Sequence, residues 1–241
     1  NRKNKGIHSA TKRALHFSRG SNYYLQLDIK NFFYSIDKDI LFYTLKERLI
    51  EDYHKVKNTN IELPQMLWIL NKIIYHDVTK NVVFKGDKNG FYNLPHHKSL
   101  FHIPKKRGLP IGNLTSQFFA NVYMNSFDQY VKRELKVKRY IRYVDDFVLF
   151  GQTKEELQGY YKNIVLYLQK NLALSLRENV ILKSNHQGLN FLGYIIRPYY
   201  VLTRKRVVQN YKYKKARYLQ KYEALQGTMG LEEIKRFLSV Q

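Results

Sequence analysis

Two adjacent carboxylates, Asp145 and Asp146, interrupt an apolar and aromatic stretch of the chain. Residues 140–144 before them and 147–150 after them have the character of strands, so the Asp-Asp pair is predicted to form the tight turn of a β-hairpin. Two like charges on mostly buried strands are costly unless a positive charge lies against them. Mg²⁺ suits this place, because it prefers carboxylate oxygens and leaves coordination positions open for phosphate. An Asp-rich surface turn is the alternative.

A third carboxylate, Asp28, favours the metal-binding interpretation. It lies near the end of the apolar stretch 23–29, which alternates in part and is predicted to form a core strand. Asp37 is not taken as a metal-binding carboxylate. It precedes a helical pattern that begins at Lys38 and is better explained as a helix N-cap. The candidate catalytic residues are therefore Asp28, Asp145 and Asp146.

The composition is strongly basic, with 42 Lys and Arg against 19 Asp and Glu and a net charge of +23 over 241 residues. The excess is spread along the chain, as in proteins that bind the phosphate backbone of nucleic acids. A solvated basic surface or an anionic membrane surface would be the alternative. The sequence shows no long apolar span and no separate basic amphipathic helix, so no membrane role is expected. The 21 Tyr and 14 Phe suffice for a core and for base stacking.

The absence of cysteine excludes disulfides and thiolate metal sites and is compatible with a reducing cytosol. We expect no signal peptide, and the first residue, Asn1, predicts a trimmed or partial product. The eight histidines form no HExxH-like cluster, and the His96-His97 pair in a loop beside Pro95 is not expected to bind zinc.

The elements that position these residues follow from periodicity and from helix and strand breakers. The length fits one large or two small domains. Helices are predicted near residues 38–50 and 63–75, over about 114–135, and up to about Leu172 behind the capping-box pattern of Thr153 and Glu156. Residues 77–108 are predicted to be loop-like, with a turn cluster at 86–90, and short strands are predicted at 174–177, 180–183 and 191–196. Basic helices follow from Val207, with a break at Gly227 and Gly230. The predicted fold class is α+β, an antiparallel sheet with helices packed on one face.

In combination these segments resemble a reverse transcriptase from about Gly6 to about Val208. The matching segments are Asp28 in the first palm motif, Tyr143-Val144-Asp145-Asp146 in the Tyr-x-Asp-Asp motif, Phe191-Leu192-Gly193-Tyr194 in the primer grip and the basic C-terminal helices in the thumb. The resemblance implies a right-hand palm that holds two Mg²⁺ ions about 4 Å apart for nucleotidyl transfer, with Mn²⁺ as a substitute. Its metal-holding residues would be Asp28, Ile29, Asp145 and Asp146.

The resemblance also implies a division into domains. Residues 1–22 would be a residual fingers segment, 23–198 the palm with a fingers-side insertion at about 40–108, and 199–241 the thumb. Because few residues precede the Asp28 strand, the triphosphate clamp is not assigned to Arg2, Lys3 or Lys5. We therefore expect incomplete fingers and doubtful activity in isolation.

One segment, residues 108–117, narrows the resemblance to the reverse transcriptases of diversity-generating retroelements. It reads Gly-Leu-Pro-Ile-Gly-Asn-Leu-Thr-Ser-Gln, where most reverse transcriptases have Gln-Gly-x-x-x-Ser-Pro. Residues 98–101 and 118–123 fit the same group. The group implies a cytoplasmic bacterial, archaeal or phage enzyme that copies a template RNA with errors at adenines. Its partners would be template RNA, a DNA or RNA primer, deoxynucleoside triphosphates and a basic accessory variability protein.

Two alternatives to that subtype remain open. A defence-associated or group II intron-like reverse transcriptase would share the palm without the mutagenic task. A non-catalytic RNA-binding subunit with a polymerase-like palm belongs to another class, and the presence of all three Asp residues argues against it.

The resemblance further implies a nucleotide pocket. Phe33 lies five residues after Asp28, at the place of an aromatic gate against the 2′-hydroxyl, although Phe32 is an equal candidate on sequence alone. Ile111 replaces a hydrogen-bonding Gln and is either a fidelity residue or a packing residue, and the adjacent Gly112 lets the backbone approach the base pair. Lys183 is either the acid that protonates pyrophosphate or a solvated strand-end lysine.

One neighbour of this pocket has a simpler explanation. Asn113 or Thr115 is better explained as the N-cap of the following helix than as a substrate contact.

Overall fold

The chain is described by a computed structural model for residues 5–55, 61–80, 82–83 and 95–226. The helices are α1 (Ile7–Arg19), α2 (Phe32–Ser35), α3 (Lys38–Tyr53), α4 (Leu63–Tyr75), α5 (Leu114–Tyr123), α6 (Asn125–Gln129), α7 (Lys154–Leu172) and α8 (Lys205–Gln226). The strands are β1 (Tyr23–Asp28), β2 (Tyr140–Tyr143), β3 (Asp146–Gly151), β4 (Ile181–Ser184), β5 (Leu189–Phe191), β6 (Tyr194–Ile196) and β7 (Val201–Thr203). The predicted turn cluster at 86–90 and the predicted break at Gly227 and Gly230 lie outside the described residues.

The central sheet has four antiparallel strands in the order β2-β3-β1-β4. Strand β1 lies between β3 and β4, and its register places Asp28 opposite Asp146. Side chains alternate between the two faces of such a sheet, so each strand contributes to two different layers.

The first face of the sheet packs against helices and forms the larger core. Leu25, Leu27, Phe147 and Leu149 point to this face and lie in one buried cluster with residues of α3, α5, α6 and α7. The expected α+β class, an antiparallel sheet packed against helices, is therefore confirmed, and this face carries the larger layer of helices.

The second face of the sheet is covered in part. Tyr24, Val148 and Phe150 pack there against Ala14 and Phe17 of α1. A smaller antiparallel sheet of β5, β6 and β7 adds Leu189, Phe191 and Ile196 to the same cluster. The end of β1 that carries Asp28 and the start of β3 that carries Asp146 lie beside this second layer.

Two predicted helix starts are confirmed by their capping bonds. The side chain of Asp37 accepts hydrogen bonds from the backbone N–H groups of Asp39 and Ile40, which makes it the N-cap of α3. Thr153 accepts from the N–H of Glu156 at the start of α7. Helices α3 and α4 match the predicted positions closely.

Three predicted elements differ from the structure. The helix expected over 114–135 is interrupted at Met124, where ψ is −1°, and its last part is a π-helical turn at Tyr130–Glu134. Residues 174–177 form a single bridge, Leu176 to Ile29, because they meet β1 only where that strand ends. The strand expected over 191–196 is a β-hairpin, because Leu192 and Gly193 both have positive φ and reverse the chain, as in a two-residue turn.

Candidate active site

Three carboxylates meet at the end of β1 and at the β2–β3 turn. Asp28 is the last residue of β1 and lies opposite Asp146, the first residue of β3. The predicted hairpin is confirmed, with its turn shifted by one residue to Val144 and Asp145, since Asp146 already pairs with Tyr143. The N–H of Ile29 donates to the carbonyl oxygen of Asp145 at 3.4 Å, which joins the strand end to the turn.

The electrostatics of the site show an excess of negative charge. Burial raises the pKa of Asp28, the negative charge of Asp145 raises it further, and the positive charge of Arg177 partly offsets both effects. Burial also raises the pKa of Asp146 to about 6, with a lowering contribution from its hydrogen bond to Gln26 and raising contributions from Asp28 and Asp145. A cation at this place would relieve the repulsion among the three carboxylates.

The oxygen atoms present fit a divalent cation at Asp28 and Asp145. Oδ1 of Asp28 is buried without a hydrogen-bond partner, and the carboxyl groups of Asp28 and Asp145 are within hydrogen-bonding reach of each other. Asp146 is engaged elsewhere, because its Oδ1 and Oδ2 accept from Nε2 of Gln26 at 3.2 and 3.4 Å. Within the described part of the chain, no three acidic, His or Cys side chains form a ready-made metal cluster.

Gln26 is a site residue that the sequence interpretation missed. Besides its bonds to Asp146, its Nε2 atom donates to the carbonyl oxygen of Asn190 at 3.1 Å. Gln26 therefore ties Asp146 to strand β5 of the second sheet. Its signal in the sequence was a polar residue two positions before Asp28 in an apolar strand, which places both side chains on one face.

Arg177 is a second missed residue. Its Nε atom lies 3.1 Å from Oδ2 of Asp28, and its N–H donates to the carbonyl oxygen of Asp28 at 2.8 Å. The Arg177 side chain is 55% exposed, so the ion pair lies at the rim of the site. No sequence pattern distinguishes Arg177 from the other basic residues, because its partner is far away along the chain.

Lys183 lies away from the carboxylates. It is an exposed residue of β4 and pairs with Tyr24, four positions along β1 from Asp28. At the usual rise of a strand this separation is about 13 Å. The exposed position of Lys183 agrees with a solvated strand lysine, whereas Arg177 contacts Asp28.

The residues predicted for the nucleotide pocket, apart from Lys183, lie in α2 and in the segment before α5. Phe32 is 3% exposed and belongs to the core, whereas Phe33 is half-buried, and its carbonyl oxygen accepts from the N–H of Leu109 at 2.8 Å. Ile111 is 62% exposed, which does not agree with a packing role. Gly112 has φ of +100°, a conformation that favours glycine.

Asn113 occupies the N-cap position of α5. Its side chain makes no capping hydrogen bond there. The capping explanation therefore holds for its position in the helix but not for its side chain.

The predicted primer-grip residues form the β5–β6 hairpin. Phe191 is fully buried and Leu192 and Gly193 make the turn. The carbonyl oxygen of Gly193 accepts from the N–H of Arg204 at 2.9 Å, directly before α8. The turn therefore links the second sheet to the C-terminal helix, and Phe191 contributes to the core.

Comparisons with solved structures show the same fold. The apo telomerase of Candida tropicalis aligns with a TM-score of 0.56 at 14% identity over 82% of this chain, and its form truncated from the C-terminal domain with 0.56 at 16% over 83%. The telomerase of Candida tropicalis in complex with a TWJ fragment of telomeric RNA gives 0.53 at 15% over 82%. The chain spans only 36%, 40% and 33% of these structures, respectively.

Sequence comparison assigns the family. No curated protein matches the sequence. The family model described as reverse transcriptase (RNA-dependent DNA polymerase) matches residues 1–196, which is most of the 241-residue chain. The chain therefore belongs to the reverse transcriptase family, whose members are classed as RNA-directed DNA polymerases.

Proposed function

We propose that this protein copies an RNA template into DNA by two-metal nucleotidyl transfer. One observation carries the proposal: Asp28, Asp145 and Asp146 lie together, and a buried oxygen of Asp28 has no hydrogen-bond partner. Such an arrangement costs stability in a protein without a cation and suits one that binds divalent ions.

Each site residue has a role in this proposal. Asp28 and Asp145 would hold the ions together with the backbone of Ile29, and Asp146 would assist from its place beside Gln26. When bound, Mg²⁺ or Mn²⁺ ions would supply activation of the primer 3′-hydroxyl and charge stabilisation for the leaving pyrophosphate. The remaining work is positioning, which rigid strands provide.

The proposed substrates are template RNA, a DNA or RNA primer and deoxynucleoside triphosphates. The net charge of +23 supports binding to phosphate backbones. We assign residues 1–22 to a fingers remnant, 23–198 to the palm and 199–241 to the thumb. Among the described helices, none has the length and apolar character needed to cross a membrane.

The proposal is tested by Asp145→Asn, which keeps the shape of the side chain and removes its charge. Primer extension on an RNA template with Mg²⁺ should fall by orders of magnitude, while RNA binding persists because Lys and Arg supply the affinity. Asp52→Asn is the control, since Asp52 is an exposed residue of α3. Extension by Asp145→Asn at the parental rate would overturn the assignment of the site.

A finer proposal concerns fidelity in a diversity-generating retroelement. Ile111 is exposed where most reverse transcriptases have Gln, and an aliphatic side chain offers only van der Waals contact to a base pair. Selection by shape alone is weaker than selection that leaves a polar partner unpaired. We therefore propose error-prone synthesis at template adenines, with a basic accessory protein as partner in the cytoplasm of a bacterium or archaeon.

The test of this finer proposal is Ile111→Gln, with Leu166→Gln on the exposed side of α7 as the control. Both proteins should make cDNA, and Ile111→Gln should misincorporate less, most visibly opposite adenine. Sequencing of cDNA from one RNA template at identical nucleotide concentrations measures the error spectrum. An unchanged spectrum, with both enzymes active, would remove Ile111 from the mechanism, and a parental protein without excess errors at adenine would favour the defence-associated or intron-like alternative.

A further inference from the structure

A buried ion pair supports the catalytic turn from the opposite face of the sheet. Arg142 of β2 points towards the larger core, where Asp128 of α6 meets it. Its Nε and Nη2 atoms donate to Oδ1 and Oδ2 of Asp128 at 2.8 and 2.7 Å, and the two side chains are 6% and 14% exposed. The hydroxyl of Tyr140 donates to Oδ1 of Asp128 at 2.8 Å, so the carboxylate accepts three hydrogen bonds.

The third nitrogen of the guanidinium, Nη1, reaches the turn itself. It donates to the carbonyl oxygen of Val144 at 2.9 Å. Val144 has φ of +60°, a left-handed conformation that is unfavourable for a β-branched residue. Val144 directly precedes Asp145, so its backbone conformation determines where the Asp145 carboxylate points.

Stability alone does not explain this arrangement. A buried ion pair costs much of its attraction in lost hydration, and apolar side chains of similar volume often replace it without loss of stability. Apolar residues would not hold the carbonyl of Val144. The rigid, forked geometry of Arg can bind a carboxylate and a carbonyl group at once, which a lysine ammonium does not reproduce.

We infer that Asp128 and Arg142 are positioning residues that hold Val144 in its left-handed conformation and thereby direct Asp145 towards Asp28. They act through the turn and leave substrate contacts to other residues. The inference rests on the proposed function in one respect, that Asp28 and Asp145 bind a divalent ion.

The test compares Arg142→Lys with Arg139→Lys. Arg139 is also next to the sheet and donates to Ser21, but it makes no bond to the turn. Arg142→Lys should weaken Mn²⁺ binding, measured by electron paramagnetic resonance of free Mn²⁺, and lower kcat, each by about tenfold or more, as for other residues that orient metal ligands. The KM for the nucleotide should stay near the parental value, and Arg139→Lys should behave as the parent.

Repeating the test in a Val144→Asn protein separates the effect on the turn from a general loss of stability. Asn tolerates the left-handed region better than Val, so Val144→Asn should reduce the need for the bond from Arg142. The loss caused by Arg142→Lys should therefore be smaller in the Val144→Asn protein. The inference is overturned if Arg142→Lys binds Mn²⁺ as the parent does, or if the loss is equal in both backgrounds. If the parental protein makes no cDNA, the proposed function fails, and Mn²⁺ binding still decides the inference.

Discussion

At the scale of residues, repulsion among the carboxylates of the site is partly offset by polar and positively charged neighbours. Asp28 and Asp146 have raised pKa values chiefly because they are buried, and each also has one polar neighbour that offsets the repulsion. Arg177 plays this part for Asp28, and Gln26 plays it for Asp146. The neighbours hold the carboxylates in place without replacing the charge of a divalent ion.

Removal of Arg177 should change the response to metal. Arg177→Gln removes the positive charge beside Asp28, so Mg²⁺ should meet less competition and raise Tm more than it does in the parent. The effect on metal-free stability should be below about 1 kcal/mol, because the Arg177 side chain is more than half exposed to solvent. Thermal unfolding with chelator and with Mg²⁺ measures both quantities. Arg206→Gln, an exposed residue of α8, is the control, and equal Mg²⁺ shifts in the two variants would contradict the prediction.

The two adjacent phenylalanines should have separable roles. Phe33→Ala should open space at the nucleotide sugar and raise ribonucleotide incorporation relative to deoxynucleotide. Phe32→Ala should instead cost about 3–5 kcal/mol of stability, because Phe32 is 3% exposed. Incorporation assays with each nucleotide class and urea unfolding distinguish them. If ribonucleotide incorporation rises in Phe32→Ala and not in Phe33→Ala, the assignment of the gate to Phe33 is wrong.

At the scale of elements, the site depends on short turns whose backbone conformations are demanding. Val144 has positive φ in the β2–β3 hairpin, which carries two of the three carboxylates. Leu192 and Gly193 have positive φ in the β5–β6 hairpin, and Gly112 has φ of +100° before α5. Each turn sits at the end of a strand or the start of a helix. These conformations let the chain change direction between two regular elements.

Gly112 and Gly159 provide a matched pair for this point. An added Cβ would meet nothing within 4 Å at either glycine, but only Gly112 has a positive φ. Gly112→Ala should destabilise the protein by about 1–2 kcal/mol through backbone strain. Gly159→Ala lies in the exposed part of α7 and should stabilise it by about 0.5–1 kcal/mol. Urea unfolding measures the free energy of unfolding of both variants. A change of the same sign in Gly112→Ala and Gly159→Ala would contradict the prediction.

At the scale of the whole molecule, the three carboxylates and the basic C-terminal helix α8 are joined through the small sheet. The carboxylates lie at the second face of the sheet, near the small sheet that leads into α8, whereas α7 covers the first face. Helix α8 carries a run of exposed basic and aromatic residues, among them Lys212, Lys214 and Tyr213. The fold thus offers a basic helix beside the side of the sheet that bears the site.

Affinity for RNA should therefore depend on which lysines are removed. Replacing Lys212, Lys214 and Lys215 by Gln should weaken RNA binding and reduce the slope of log K against log salt by about 2, at about 0.7 for each phosphate contact. Replacing Lys154, Lys162 and Lys170 of α7 by Gln removes the same charge and should change both quantities less. Fluorescence anisotropy at several salt concentrations measures them. Equal losses in the two triple variants would indicate binding by net charge alone.

The sequence by itself determined the features whose physics is local. Asp28 at the end of an apolar strand, the hairpin around Asp145 and the N-caps Asp37 and Thr153 were all predicted and are all present. Periodicity and capping bonds depend on residues that are close together in the chain, so the sequence alone is enough to predict them. The family resemblance to reverse transcriptases is confirmed for the same reason, since its motifs are short segments.

Only the tertiary structure decided which distant residues meet. The contacts of Arg177 with Asp28, of Gln26 with Asn190 and of Arg142 with Asp128 depend on strand register and on helix packing across long sequence separations. The position of Lys183 away from the site follows from the same register. Strand alternation shows which face of the sheet a side chain occupies, but it does not specify which distant residue lies opposite that side chain, because this depends on how the strands pair and the helices pack.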